Sequence, residues 1–206
     1  MAIARSWLLA SRPPGPLQVA AQVARKQCAQ RPRASALATV NAFKKDRTLQ
    51  KKLSIRPAEK TDVPVIKTIA DATELFPSEM LEEMIAGYFD RTKRDLWFVC
   101  EADGAVVSFG FCEPERMTEG TWNLLAIGVE PNRQGSGIGS AMMRYLEDRL
   151  RQLHARVLLV ETMGTPEFEQ TRAFYRRNDY VEEARIREFY EAGADKIVFW
   201  KHLQNA

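Results

Sequence analysis

Residues 134–139 read Gln-Gly-Ser-Gly-Ile-Gly, and the stretches on either side of them narrow the folds open to the chain. Upstream, Trp122 to Glu130 is an extended, apolar-rich run closed by Pro131, which has no N–H to give to a sheet ladder. Downstream, Ile138, Ala141, Met142, Tyr145, Leu146, Leu150 and Leu153 recur at helical spacing, with Arg144, Glu147, Asp148, Arg149 and Arg151 on other faces. A strand, a glycine loop and a long amphipathic helix therefore follow one another. At such a junction the unpaired N–H groups of the first helical turn converge with the helix dipole, and together they bind anions, phosphate or pyrophosphate above all. Glycine serves because a side chain would hold the amides away from phosphate oxygens, and because these loops need positive φ. Two nucleotide loops do not fit. The mononucleotide loop needs Lys and then Ser or Thr after its last glycine, where this chain has Ser140 directly after Gly139; the dinucleotide fingerprint needs a sixth-place glycine where Ser140 stands.

The rest of the pattern places this junction inside a mixed sheet. Leu53-Ser-Ile-Arg-Pro57 alternates as a strand, and Thr61-Asp62 precedes a helical run through Val63, Ile66, Ile69 and Ala70. After a break at Phe76-Pro77, Ser78 with Glu82 and Glu83 opens a second amphipathic helix through Met80, Met84, Ile85 and Phe89. Leu96 to Ala102 and Ala105 to Cys112 flank Asp103-Gly104, a dipeptide that tolerates the positive φ of a tight hairpin turn. Beyond the long helix, Arg156 to Val160 reads as a buried strand, Phe168 to Arg177 as a helix, and Tyr180 to Ile186 and Ile197 to Leu203 as the last two strands. The order β-α-α-β-β-β-α-β-α-β-β predicts an α/β (α+β) fold, a mixed and mostly antiparallel sheet with helices on both faces.

Charge divides the chain. The net +3 is a sum over unlike parts: residues 1–52 hold eleven basic residues against the single acid Asp46, which leaves residues 53–206 at −7. The first 52 residues are rich in Arg, Ala, Ser and Gln, with Pro13, Pro14 and Pro16 early on. They read as a basic tail, a transit-like extension or a segment upstream of the true start, and the domain proper spans residues 53–206. A cytoplasmic location follows from the first and third readings, an organelle matrix from the second. The basic residues are not interleaved with aromatics as a nucleic-acid stacking surface requires, and no apolar run is long enough for a membrane span. Cys28, Cys100 and Cys112 form neither a C-x-x-C pair nor an even set, so the thiols read as free and reduced, with Cys100 and Cys112 in core strands. His154 and His202 lack ligand-spaced neighbours, so no metal site is expected.

Gln134 to Gly139 matches the Q/R-x-x-G-x-G/A acetyl-CoA loop of the GNAT N-acetyltransferases, and the chain from Leu53 to Leu203 resembles that family in element order. The later family pattern N-x-x-A-x-x-F-Y-x-x-x-G-F/Y is met by Phe174, Tyr175 and Tyr180, while Phe168, Thr171 and Asp179 replace its Asn, Ala and Gly. Asp is among the side chains that tolerate the left-handed conformation such a glycine adopts. The resemblance implies acetyl-CoA as cosubstrate, held by Arg133, Gln134, Gly135, Ser136, Gly137, Ile138, Gly139 and Ser140. It also implies that Ile127, Gly128 and Val129 line the pantetheine arm where two strands splay. Gly128 would allow close backbone approach or mark a β-bulge.

Acetyl transfer from a thioester to an amine needs a donor for the developing oxyanion, an acid for the departing thiolate and a neutral amine. By resemblance, a backbone amide within Ile127–Val129 supplies the first and Tyr175 the second. A phenol of pKa about 10 protonates a thiolate of pKa about 8.5 uphill by roughly 2 kcal/mol, which a preformed hydrogen bond offsets. Glu161, at a strand end, is the candidate to take the amine proton through water. Arg133, Arg172, Arg176 and Arg177 are candidates for the cofactor phosphates. The acceptor region, residues 71–94 and 187–195, includes acidic Glu74, Glu79, Glu82, Glu83 and Asp90, suited to a cationic amine. A small-molecule amine, a peptide amine and a non-catalytic acyl-CoA-binding role are the readings this leaves, and a homodimer is compatible with each.

Overall fold

The computed structural model describes residues 53–203; the readings of Cys28 and of residues 1–52 fall outside them. Asp103 (φ 56°) and Gly104 (φ 81°) make the tight turn their chemistry permits, joining β2 (Leu96–Ala102) to β3 (Ala105–Pro114). Strand β1 (Ser54–Pro57) pairs antiparallel with β2, and β4 (Thr121–Val129) with β3. Helices α1 (Val63–Thr73) and α2 (Leu81–Phe89) come between β1 and β2. After the glycine loop, α3 (Ile138–Gln152) returns the chain to β5 (Val157–Met163), which is followed by α4 (Glu169–Arg177) and the hairpin β6 (Val181–Glu191) and β7 (Ala194–His202). The seven strands lie in the order β1-β2-β3-β4-β5-β7-β6, and β4–β5 is the one parallel neighbour pair among them. The expected element order holds. The differences are at boundaries: β6 and β7 are longer than their apolar runs, and a turn of 3₁₀ helix at Pro166–Phe168 delays α4 to Glu169.

Both faces of the sheet are covered. On one, Met142, Met143, Leu146 and Leu150 of α3 and Tyr175 of α4 pack on Phe98, Cys100, Trp122, Leu124, Leu158 and Phe199. On the other, Ile66 and Ile69 of α1 and Leu81 and Ile85 of α2 cover Trp97, Phe109 and Phe111, with Trp97 stacked on Phe111 at 4.2 Å. Cys100 and Cys112 are fully buried, and burial pushes both thiols up, so they act as small apolar side chains. Among the described residues no helix is long and apolar enough to cross a membrane.

One irregularity positions the site. Leu124 pairs with Cys112 and Ala126 with Phe111, so Leu125 is an extra residue in β4, a bulge that bends the strand. Pairing of β4 with β5 stops at that point, covering only Thr121–Leu124 against Val157–Val160. β4 runs on to Val129, while β5 stays on β7 as far as Met163 opposite Lys196. The two strands part and leave a wedge between them.

Candidate active site

The loop at the mouth of the wedge uses its glycines for three different reasons. Gly135 (φ 75°) and Gly137 (φ 87°) sit in the left-handed region, with no atom within 4 Å of where a Cβ would be, so the backbone is bare on that side. Gly137 is also the N-cap of α3, which puts the free amides of the first helical turn beside it. Gly139 has a packing reason: a Cβ there would lie 3.1 Å from the Phe174 ring, so its absence lets α3 approach α4. The loop is braced by Arg133 N–H donating to Glu130 O (2.9 Å) and by Gln134 Nε2 donating to Val129 O (3.2 Å). Ser136 turns its hydroxyl back onto Arg133 O (2.5 Å) and is absent from the pocket wall, unlike the other seven residues expected of the loop.

A pocket of about 680 Å³ runs from this loop down the wedge. Along a strand, backbone groups alternate sides. Gly128 O accepts from Ser108 Oγ of β3 (2.7 Å) and Glu130 N–H reaches Val107 O, so Gly128 faces β3, while the N–H groups of Ile127 and Val129 face the wedge. Gly128 lines the pocket with Ile127 and Val129 but is not the bulge residue, and its missing side chain also serves packing: a Cβ would meet Phe109 at 2.8 Å, Leu75 at 2.9 Å and Ile69 at 3.3 Å. Its lack of a side chain lets α1 and the turn after it lie against β4.

Tyr175 and Glu161 both line this pocket, although α4 and β5 bring them from different elements. Tyr175 is 5% exposed, ringed by Phe174, Tyr180 and Phe199, and burial raises its phenol well above the usual tyrosine range, so the hydroxyl stays protonated. Glu161 Oε2 accepts from Lys196 Nζ at 3.0 Å, and both side chains are nearly buried. The Lys196 ammonium also stands 3.8 Å above the Phe189 ring. Tyr190 closes this end of the pocket, its phenol raised by burial and by the Glu161 charge.

The arginines separate into two groups. Arg133 and Arg177 line the pocket, Arg133 at 3.5 Å from Asp103. Arg172 is buried, donating to Met163 O (2.6 Å), Thr165 O (2.8 Å) and Glu169, so it ties the β5–α4 connection rather than facing a phosphate. Arg176 is held between Glu169 and Glu182. Asp179 takes φ 64°, the conformation expected where the family pattern has glycine. Phe168 and Thr171, which replace the pattern's Asn and Ala, both reach the pocket wall. Lys196 escaped sequence reasoning because its link to Glu161 runs diagonally across the β5–β7 pair, where Glu161 sits opposite Val198.

Residues 93–182 match the family model described as the acetyltransferase (GNAT) domain. The uncharacterized N-acetyltransferase MJ1530 of Methanocaldococcus jannaschii is 26% identical over 155 residues, which span 74% of this chain and 93% of that protein. A structure from Desulfovibrio desulfuricans assigned to the GNAT acetyltransferases superposes with a TM-score of 0.69 at 26% identity, over 74% of this chain and 100% of the other. YncA of Salmonella typhimurium, solved with its cofactor acetyl-CoA, shares the fold with a TM-score of 0.62 at 16% identity, over 75% of this chain and 95% of that one. Glycine loop, parted strands and these matches agree: residues 93–182 match the acetyltransferase (GNAT) domain, and the chain shares the fold of the GNAT acetyltransferases.

Proposed function

We propose that this acetyltransferase moves an acetyl group from acetyl-CoA to a primary amine of a small molecule, by direct attack within a ternary complex. The observation that carries the reading is continuity. One pocket joins the bare amides of Gly135–Gly139, the outward N–H groups of Ile127 and Val129, the protonated Tyr175 hydroxyl and the Glu161 carboxylate. The loop and the start of α3 suit a pyrophosphate, with Arg133 and Arg177 beside them. The wedge, narrow and lined by peptide groups, suits the extended pantetheine arm, and acetyl-CoA supplies the activated acyl group.

The chain's own residues then divide the work. An N–H of Ile127 or Val129 donates to the carbonyl oxygen as it becomes anionic. Tyr175 gives its proton to the departing sulfur, and burial keeps that proton in place until then. Glu161 takes the amine proton through water, with Lys196 fixing its orientation. Tyr175→Phe keeps the ring packing and removes the acid. The expected outcome is a fall in kcat of about 10²-fold or more with CoA affinity retained, measured by thiol release and calorimetry; unchanged kcat would remove Tyr175 from the mechanism. The Escherichia coli ribosomal-protein-S18-alanine N-acetyltransferase shares the fold at 22% identity, so peptides belong in the same assay as the competing acceptor class.

A further inference from the structure

We infer that Glu74 selects the acceptor, and that the acceptor is an amine bearing a second positive charge; this rests on the amine-acetyltransferase reading above. Glu74 and Glu161 are the two carboxylates on the wall of the pocket. Glu161 is matched, since Lys196 bonds it at 3.0 Å and Phe189 covers the ammonium. Glu74 is exposed and has no ion-pair partner among the described residues. The cations on the wall are Arg133, before the glycine loop, and Arg177 of α4. The pocket thus carries cations from the loop and α4, and one carboxylate without an ion-pair partner among the described residues, Glu74 at the end of α1.

The backbone holds Glu74 there at a cost. It follows the last turn of α1 with φ 50° and ψ 35°, its N–H shared by Ala70 O and Asp71 O, while Leu75 N–H reaches back to Ala70 O (3.1 Å). Glycine is the residue that accepts this left-handed cap without steric penalty. Of the seven non-glycine residues with positive φ among those described, Glu74 is the one that lines this pocket. The neighbouring Leu75 packs against Gly128, so the turn is pinned to the strand whose amides face the wedge.

The second charge follows from the reaction itself. The attacking nitrogen must shed its proton, so a monoamine loses its attraction to Glu74 as it becomes reactive. A cation elsewhere on the acceptor keeps that attraction through the transition state and raises kcat/KM.

The test compares n-butylamine with 1,4-diaminobutane by thiol release from acetyl-CoA on the full chain. The expected result is a kcat/KM at least about tenfold higher for the diamine, an advantage that shrinks as salt is raised. In Glu74→Gln the diamine-to-monoamine ratio falls to about one, Glu74→Asp keeps part of it, and calorimetric affinity for CoA is unchanged in both. Glu74→Gly, which suits the left-handed cap, melts no lower than the parent chain and still loses the ratio, which separates recognition from folding. Equal kcat/KM for the two amines, or a diamine preference that survives Glu74→Gln, overturns this inference alone. Thiol release with neither amine nor any peptide overturns the acetyltransferase reading and this inference with it.

Discussion

Three tyrosines show what burial does to a single side chain in this molecule. Tyr175, Tyr180 and Tyr190 are all raised chiefly by desolvation, with the Glu147 carboxylate adding to the effect at Tyr180 and Glu161 at Tyr190. For catalysis the sign is favourable: Tyr175 remains a proton donor throughout the range in which an amine loses its proton. The kcat profile should rise with pH and stay flat to about pH 10, without an alkaline fall from this residue. For stability the same shift acts in the other direction at high pH. A phenol whose folded value is raised contributes stability that is fully present below its unfolded value of about 10 and is lost as pH rises beyond it, because only the unfolded chain releases the proton. Thermal melts should therefore be level from pH 7 to about 9.5 and drop steeply above pH 10; a midpoint that holds through pH 11 would contradict the buried environment of these rings.

At the level of elements, the glycines of β4 and of the loop before α3 have opposite duties, and substitution should separate them. Gly128→Val places a Cβ within 3 Å of Phe109 and Leu75, so it should destabilise the fold by about 1–3 kcal/mol in urea titrations. Gly137→Leu meets no neighbour, so its effect falls on the left-handed N-cap and the bare anion site: CoA affinity should drop by at least about 100-fold while the fold survives. Retained CoA affinity in Gly137→Leu would remove the loop from the binding argument. Much of this was legible beforehand. Helical spacing after Gly139 gave α3, Asp103-Gly104 gave the hairpin, and the glycines at the strand–helix junction gave the bare-backbone loop that caps α3, because each depends on residues close in sequence. What stayed hidden depends on register. The Leu125 bulge that ends β4–β5 pairing, the turning of Gly128 under α1, the Glu161–Lys196 pair and the structural employment of Arg172 all arise from partners 7 to 35 positions or more away, which no local pattern encodes.

Across the whole molecule, charge and architecture separate the same way. The sheet with helices on both faces occupies residues 53–203, within the −7 part of the chain, and the +10 of residues 1–52 lies outside the described residues. We propose that catalysis resides in residues 53–206. In the proposed reading, backbone amides with Arg133 and Arg177 hold the anionic cosubstrate, and Glu74 and Glu161 meet a cationic acceptor, so an acidic domain can take both in the one pocket these residues line. The most direct measurement is thiol release from acetyl-CoA across a panel of primary amines, amino acids and peptides, with the acetylated product identified by mass. Stoichiometric release of thiol and of a singly N-acetylated small amine is expected, abolished in Gly137→Leu. Tight acetyl-CoA binding with no thiol released on any acceptor would contradict it and leave a binding module in its place.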